Sequence, residues 1–341
     1  MAKPVVLVTG ASGEIGRLLL KSLAEEGVHD LVALDLTPLP DVQRAYAAWS
    51  YAGNITDRYL LDQLAAHHEV DAIFHLAALL STRGERDPEL SHQVNVEGTL
   101  NVLRVAQNQS SRLGEPVKVV FPSSIAVYGL PTLEDKRAAG RVREEQWNVP
   151  ITMYGCNKLY CENLGRYFTF HARQLGALSG ATRLDFRSLR LPGLISAHTA
   201  PTGGTSDFGP EMVHFAAAGK PYSSFVEPEA RIPFMAMPDA VRALLELSRA
   251  PRVRLSTCVY NVGGFSPTAA QLAERVKTAF PTASIDFVPE PARARIVASW
   301  PEDVDDSRAR FDWGWRPAFD LERAFDSYLV PNMQGGREVR R

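Results

Sequence analysis

Cysteine is scarce in this chain of 341 residues, which contains only Cys156, Cys161 and Cys258. Three scattered cysteines cannot form a disulfide framework, and the chain has no Cys-x-x-Cys pair for zinc. This usage is typical of a reducing compartment, so we expect a cytoplasmic protein. No apolar run approaches the roughly 18 residues that a membrane helix needs. The early apolar run Val5–Val8 is too short for a signal peptide, so we expect neither secretion nor membrane insertion.

The chain also has no large excess of positive or negative charge. It contains 37 lysines and arginines and 39 aspartates and glutamates, which gives a net charge of −2. Such a balance favours neither nucleic acid nor an anionic membrane as a partner. The sequence has no His-Glu-x-x-His motif, so no metal site is expected. We therefore expect a protein that acts on a small molecule.

Short apolar runs alternate with amphipathic stretches through the first half of the chain. The predicted strands are Val5–Val8, Leu31–Leu34, Ala72–Leu76, Val117–Phe121 and Thr182–Leu189. The predicted helices are Ile15–Leu23, Leu60–Ala66, Val94–Ala106 and Leu159–Gln174. Strands that alternate with helices predict an α/β fold with a doubly wound parallel sheet of the Rossmann type. We assign residues 1–189 to this dinucleotide-binding domain.

Glycine and proline become frequent after Arg190, which indicates loop-rich chain with short elements. We predict a smaller C-terminal substrate-capping region formed by residues 190–235 and 280–330. Between these segments, helices over Met237–Leu247 and Ala269–Ala279 and a strand over Val259–Val262 should return residues 237–279 to the main sheet. Residues 331–341 are expected to form a loose tail.

A glycine-rich segment follows the first predicted strand and opens the first helix, with glycines at Gly10, Gly13 and Gly16. Glycine allows the tight turn and the close approach of a pyrophosphate, which the helix amides then bind. Its predicted cofactor contacts are Gly10, Ser12, Gly13, Glu14, Ile15 and Gly16. An ordinary strand-to-helix turn is the alternative.

Asp35 ends the second strand, where a carboxylate accepts hydrogen bonds from the adenosine ribose. It would also repel a 2′-phosphate, which favours NAD over NADP. Further predicted cofactor contacts follow the third and fourth strands: Asn54 and Ile55, then Leu76, Ala77 and Ala78. Packing at strand ends is the alternative for all of them.

Tyr154 and Lys158 lie four residues apart at the start of a predicted helix and share one face. An ammonium beside a phenol should lower the phenol pKa and create a general base for alcohol oxidation. Ser123 and Ser124 end the fifth strand, where ligands bind in such sheets. We predict that Ser124 holds the substrate oxygen and that Ser123 lies nearer the cofactor, with loop capping as the alternative. Asn95 either fixes the backbone or relays a proton.

Together, the glycine loop, Asp35, Asn95, Ser124 to Gly129 and Tyr154-x-x-x-Lys158 resemble the extended short-chain dehydrogenase/reductase family. The resemblance implies that Lys158 binds the nicotinamide ribose and that Asn95, Ser123, Tyr154 and Pro192 also contact NAD. It implies a homodimer as well, in which the helices after Asn95 and Tyr154 pair across a twofold axis. The family includes nucleotide-sugar epimerases and dehydratases, so it does not by itself name the substrate.

Three later segments resemble the short-chain type of L-threonine 3-dehydrogenases: Phe186–Ser196, Gly203–Asp207, and Ser299–Pro301 with Asp305–Ser307. They imply NAD-dependent oxidation of L-threonine to 2-amino-3-oxobutyrate. The loop differs from that pattern at Thr202, Ser206 and Phe208. The expected substrate contacts are Ser81, Ser124, Tyr154, Thr205, Ser206 and Trp300. An epimerase or dehydratase and a non-catalytic NAD-binding sensor are the alternative functions.

Overall fold

The computed structural model describes residues 3–172, 184–201 and 203–333. The strands are β1 Val5–Thr9, β2 Asp30–Asp35, β3 Trp49–Ala52, β4 Val70–His75, β5 Lys118–Ser124, β6 Arg141–Val142, β7 Asp185–Leu191, β8 Gly193–Ile195, β9 Tyr222–Ser224, β10 Phe234–Ala236, β11 Val259–Asn261, β12 Ile285–Phe287 and β13 Asp303–Val304.

The α-helices are α1 Glu14–Glu26, α2 Asp41–Arg44, α3 Arg58–His67, α4 Ser81–Arg86, α5 Pro88–His92, α6 Gly98–Leu113, α7 Leu133–Ala139, α8 Met153–Phe170, α9 Phe208–Ala217, α10 Met237–Arg249, α11 Ala269–Ala279, α12 Pro291–Ala298, α13 Ser307–Trp313 and α14 Leu321–Ala324. Two π-helical turns, Gln93–Glu97 and Phe325–Leu329, and two 3₁₀ turns, Ile125–Val127 and Arg252–Arg254, complete the regular structure of the described residues.

The main sheet has seven strands in the order β11-β7-β5-β4-β1-β2-β3. β1 pairs in parallel with β2 and β4, and its last residue, Thr9, is opposite Leu34 and His75. Because parallel strands end at the same edge, the segments after β1, β2 and β4 lie together. The α/β fold with a Rossmann-like parallel sheet is confirmed.

Most predicted elements are present, with small shifts in their ends. The predicted helix Val94–Ala106 is split, because its first turn is the π-helical turn Gln93–Glu97 and α6 begins at Gly98. The end of predicted helix Leu159–Gln174, the start of predicted strand Thr182–Leu189 and the tail from residue 334 lie outside the described residues. Residues 331–333, which were expected in the loose tail, are helical instead.

The chain divides into two compact units. The first unit comprises Met1–Ser123, Cys156–Leu189 and Val241–Val259, and the second comprises Ser124–Gly155, Arg190–Ala240 and Tyr260–Arg341. Strand β11 joins the main sheet, as predicted. Residues 124–155, 237–240 and 260–279 nevertheless belong to the second unit, although the sequence placed them with the first. Long-range hydrogen bonds explain this difference, since Tyr128 Oη donates to Asn261 Oδ1 at 2.7 Å and Leu130 N donates to the Ser299 oxygen at 2.8 Å.

The second unit has small sheets of two strands each, which pair β8 with β10, β9 with β12 and β6 with β13. All three pairs are parallel. Across the described part of the chain, no helix combines the length and the apolarity needed to cross a membrane.

Candidate active site

The loop after β1 is packed too tightly for side chains at two of its glycines. Gly10 has φ +69°, and a Cβ there would lie 2.6 Å from the Ala77 nitrogen. A Cβ at Gly16 would lie 2.3 Å from the Gly10 oxygen. The loop leads directly into the N-terminus of α1, whose first amides point out of the helix. This geometry fits the pyrophosphate of a dinucleotide, with Gly10, Ser12, Gly13, Glu14, Ile15 and Gly16 in the loop and first helical turn.

Asp35 ends β2 beside this loop, as its position in the sequence predicted. Its Oδ2 accepts a hydrogen bond from the Ser12 amide at 2.9 Å, and its backbone oxygen accepts from the Gly53 amide at 2.8 Å. The side chain is half-buried, which leaves a carboxylate oxygen for other donors. Asp35 is therefore fixed at the loop and is suited to bind ribose hydroxyls.

The residues that follow β3 and β4 differ in their exposure to solvent. Asn54 is exposed and caps the following turn, because its Oδ1 accepts from the Thr56 amide at 3.0 Å. Ile55 is buried, and a Cβ at Gly98 would lie 2.6 Å from its Cγ2. Leu76, Ala77 and Ala78 are all half-buried at the sheet edge. Their roles as cofactor contacts stay predictions.

His75, the last residue of β4, has a structural role. It is 1% exposed, and its two ring nitrogens lie 2.7 Å from Thr9 Oγ1 and 3.0 Å from Thr99 Oγ1. Burial lowers the pKa of His75 to about 3, so the ring is neutral at physiological pH. His75 thus links the ends of β1 and β4 to α6.

Asn95 fixes the backbone of the segment that follows Ala78. Its Oδ1 accepts from the Leu79 amide at 2.7 Å, and its Nδ2 donates to the Leu79 oxygen at 3.0 Å. Its Nδ2 also donates to Ser91 Oγ at 3.2 Å. The side chain is 3% exposed. Of the two roles considered for Asn95, the hydrogen bonds support the backbone one.

The two serines at the end of β5 have different environments. Ser123 is 2% exposed and donates to Glu162 Oε1 at 2.5 Å. Ser124 is half-buried, and its Oγ accepts from the Ala126 amide at 3.1 Å. This hydrogen bond leaves the Ser124 hydroxyl hydrogen available to another acceptor. Ser124 is therefore the better placed of the two to hold a substrate oxygen.

Tyr154 lies in the first turn of α8, where the backbone packs closely on the turn after Ser124. A Cβ at Gly155 would lie 2.0 Å from the Ala126 oxygen, so only glycine allows this contact. The Gly155 amide donates to Thr152 Oγ1 at 3.1 Å, which caps the helix. Tyr154 is half-buried, and burial raises its pKa. The pKa lowering expected for Tyr154 is therefore not found in the chain alone, because desolvation disfavours the phenolate.

Lys158 follows Tyr154 by one turn of α8 and is 4% exposed. Its Nζ donates to the Pro122 oxygen at 2.7 Å and lies 4.3 Å from the centre of the Phe121 ring. Burial lowers the pKa of Lys158 to about 8, and the charges of Cys161 and Glu162 oppose this shift. The ammonium is thus anchored at the end of β5.

The expected substrate residues belong to both units. Ser81, in the first unit, is half-buried at the start of α4. In the second unit, Thr205 is 5% and Trp300 3% exposed, and Ser206 is half-buried. The buried indole nitrogens of Trp300 and Trp313 have no hydrogen-bond partner among the described residues. Pro192 is buried between β7 and β8.

Helix α12 connects three parts of the second unit that carry expected substrate contacts. Arg293 of α12 donates to the Gly204 oxygen at 3.1 Å, next to Thr205. Trp300 follows the end of α12, and the oxygen of Ser299 accepts from Leu130, six residues after Ser124. The loop around Thr205 and the segments of Trp300 and Ser124 are therefore tied to one helix.

Glu162, which is 2% exposed and accepts a hydrogen bond from Ser123, was not predicted from the sequence. Its position four residues after Lys158 was a visible signal, since such pairs share a helix face. The close contact at Gly155 was also missed, because nothing in the local pattern indicates what packs against a glycine. In the described ranges, no group of three or more His, Cys, Asp or Glu side chains could hold a metal ion.

A glycine loop at the first strand, an acid at the second and a Tyr-x-x-x-Lys helix define an NAD-binding oxidoreductase with a Rossmann fold. The narrower assignment comes from comparison. The NAD dependent epimerase/dehydratase family matches residues 6–263. The chain belongs to this family, and NAD is its cofactor.

Relatives with more specific names match nearly the whole chain. The mitochondrial L-threonine 3-dehydrogenase of Bos taurus is 33% identical over 95% of this chain and 81% of its own. The holo form of a GalE-like L-threonine dehydrogenase from Cupriavidus necator has a TM-score of 0.82 at 33% identity, covering 98% of this chain and 100% of that one. A monomeric L-threonine 3-dehydrogenase of metagenomic origin, in its apo form, has a TM-score of 0.82 at 32% identity, covering 96% and 99%.

Proposed function

We propose that this chain oxidises L-threonine at its β-hydroxyl to 2-amino-3-oxobutyrate with reduction of NAD. The similarity to threonine dehydrogenases over nearly the full length of the chain carries this proposal. The arrangement of Ser124 and Tyr154 supports it, because a hydroxyl donor and a phenol are what alcohol oxidation requires.

The chemistry of each residue follows from its surroundings. Ser124 donates its hydroxyl hydrogen to the substrate oxygen while its own oxygen is held by the Ala126 amide. Tyr154, as phenolate, takes the proton of the substrate hydroxyl. Bound oxidised NAD would supply the hydride acceptor for Cβ and a positive charge near the site. Lys158 binds the nicotinamide ribose with its buried ammonium.

The raised pKa of Tyr154 in the chain alone has a consequence for this proposal. Burial favours the neutral phenol, so the phenolate must be stabilised by positive charge in the working complex. Lys158, on the same helix face one turn later, is the group of this chain suited to supply part of that charge. We therefore expect the Tyr154 phenol to ionise and act as a base only when NAD is bound beside Lys158.

The substrate contacts are proposed from their chemistry. Threonine carries a carboxylate, which hydroxyl groups and backbone amides can bind. Ser81, Thr205 and Ser206 supply the hydroxyls in this proposal. The buried indole nitrogen of Trp300 has no partner among the described residues, so a carboxylate oxygen would satisfy its hydrogen-bonding capacity.

We also propose a homodimer and a cytoplasmic location. Exposed aromatic side chains on α8 support the dimer: Tyr160 is 52% exposed and Tyr167, on the same helix face, 47%. Because a similar threonine dehydrogenase is described as monomeric, similarity alone does not decide the point. Light scattering at micromolar concentration should give the mass of two chains, and the mass of one chain would contradict the dimer.

The activity is tested by NADH formation with L-threonine, L-serine, 3-hydroxybutyrate and a UDP-sugar. We expect NADH to form with L-threonine and the cofactor to exchange freely. Conversion of the UDP-sugar with retained cofactor would instead identify an epimerase or dehydratase, which the family also contains. NAD binding with no turnover of any substrate would favour a sensor.

A further inference from the structure

Glu162 is a buried acidic residue that the proposed mechanism does not use. It is 2% exposed, and its Oε1 accepts a hydrogen bond of 2.5 Å from Ser123 Oγ. Burial of a carboxylate costs free energy unless hydrogen bonds or opposite charge compensate. The neighbours of Glu162 at the end of β5 must therefore compensate the free-energy cost of its burial.

Glu162 is related to Lys158 in two ways. The two residues lie one turn apart on α8, a spacing at which side chains of opposite charge attract each other. Glu162 also binds Ser123, the residue after Pro122, and the Pro122 oxygen accepts from Lys158 Nζ at 2.7 Å. The Glu162 carboxylate thus acts on Lys158 in two ways. It attracts the ammonium by its charge, and it binds the residue next to the Pro122 carbonyl, which accepts a hydrogen bond from that ammonium.

The other titratable groups identified around Lys158 carry no negative charge near neutral pH in the chain alone. One turn earlier on α8, burial raises the pKa of Tyr154, so its phenol is neutral. From β4, His75 is neutral because burial lowers its pKa to about 3. From β5, the Phe121 ring and the Pro122 carbonyl carry no net charge. On α8, burial raises the pKa of the Cys161 thiol to about 11. Of the two groups whose charge would raise the pKa of Lys158, Cys161 and then Glu162, the thiol is neutral near neutral pH, so the negative charge comes from Glu162.

We propose that Glu162 is a positioning residue for Lys158, which keeps the buried ammonium protonated and, through Ser123, holds the Pro122 carbonyl in place to receive it. The functional consequence rests on the proposed role of Lys158 in cofactor binding. Burial lowers the pKa of Lys158 to about 8 even with Glu162 present. Without the negative charge this pKa falls further, so a larger fraction of Lys158 is unprotonated at neutral pH.

The direct test follows the protonation of Lys158 by NMR of lysines labelled with ¹³C at Cε. The chain has seven lysines, and Lys158→Met assigns the resonance. Glu162→Gln keeps the shape but removes the charge, and we expect the Lys158 titration midpoint to fall by roughly one pH unit. Glu162→Asp should give a smaller fall. Glu25→Gln removes an exposed carboxylate of α1 and should leave the midpoint unchanged.

Ser123→Ala tests the second part of the proposal, because it removes the hydrogen bond and keeps the charge. We expect an unchanged Lys158 midpoint and severalfold weaker NADH binding, measured by NADH fluorescence. A midpoint that is unchanged or raised in Glu162→Gln would overturn the proposal, and unchanged NADH affinity in Ser123→Ala would overturn its anchoring part. Lack of activity on L-threonine with the expected titrations would refute only the proposed function.

Discussion

The two units differ in how their functional residues are held in place. In the first unit, the predicted cofactor residues lie at the ends of strands of one parallel sheet, and backbone geometry fixes them: the glycine loop after β1, Asp35 at the end of β2 and Leu76 after β4. In the second unit, the strands are two or three residues long, except where β5 and β7 extend into it, and distant side chains fix the chain.

A buried cluster in the second unit, around Asn261 at the end of main-sheet strand β11, illustrates how distant side chains hold the chain. Asn261 is fully buried; its Oδ1 accepts from Tyr128 Oη, its Nδ2 donates to the Val142 oxygen at 2.9 Å and its amide donates to Glu144 Oε1 at 3.0 Å. These partners are more than a hundred residues away in sequence. Residues at the ends of regular strands can thus be recognised from the local sequence. The candidate substrate residues of the second unit depend on contacts between distant parts of the chain, which the local sequence does not indicate.

The largest effect is expected in the second unit, for Tyr154→Phe. The substitution removes the proposed base, so kcat should fall by about 10²–10⁴. NAD affinity should fall far less than kcat, because the substitution keeps the aromatic ring and removes only the hydroxyl that acts on the substrate. Tyr160→Phe on the exposed face of the same helix is the control and should be normal. Steady-state kinetics with L-threonine measure both, and near-normal turnover of the Phe variant would refute the assignment.

Gly10→Ala tests the backbone geometry of the first unit. The added Cβ would lie 2.6 Å from the Ala77 nitrogen, so the loop must shift and NAD affinity should fall by roughly a hundredfold or more, about 2.7 kcal/mol. Gly27→Ala is a matched control, because Gly27 has φ +66° but no atom within 4 Å of the new Cβ. Calorimetric titration with NAD separates the two. Equal affinities would show that the close approach is unimportant.

Asp35→Ala should change cofactor preference rather than activity as such. Loss of the carboxylate removes ribose hydrogen bonds and the repulsion of a 2′-phosphate, so the NAD-to-NADP ratio of kcat/KM should fall by roughly tenfold or more. Asp35→Asn should lower this ratio to a smaller extent, since the asparagine amide can still bind the ribose. Equal kcat/KM for the two cofactors in the wild-type protein would contradict the role of Asp35.

The smallest effect is expected for Thr205→Ala. Removal of one hydroxyl from the proposed carboxylate site should raise KM for L-threonine severalfold, because the net contribution of one hydrogen bond is roughly 1 kcal/mol. NAD affinity should stay the same. Thr205→Ser retains the hydroxyl and should restore KM. Identical KM values for wild-type and Thr205→Ala would exclude this contact.

The sequence predicted most strands and helices of the first unit, and several of its candidate cofactor residues are marked by their place after a strand. Gly10 and Asp35 could be located from strand and helix periodicity alone. The spacing of Glu162 from Lys158 was visible in the sequence, but its role was not. Its hydrogen-bond partner Ser123 is distant in sequence and is brought to it only by folding. The assignment of residues 124–155 to the second unit could not be predicted, since it depends on contacts such as that between Tyr128 and Asn261.

The central claim, that this chain moves a hydride from the β carbon of threonine to NAD, is tested most directly with L-threonine deuterated at C3. We expect one deuterium to appear in the NADH formed, as measured by mass spectrometry, and turnover to be abolished in Tyr154→Phe. NADH without deuterium, or no NADH from L-threonine in a wild-type protein that binds NAD, would contradict the account.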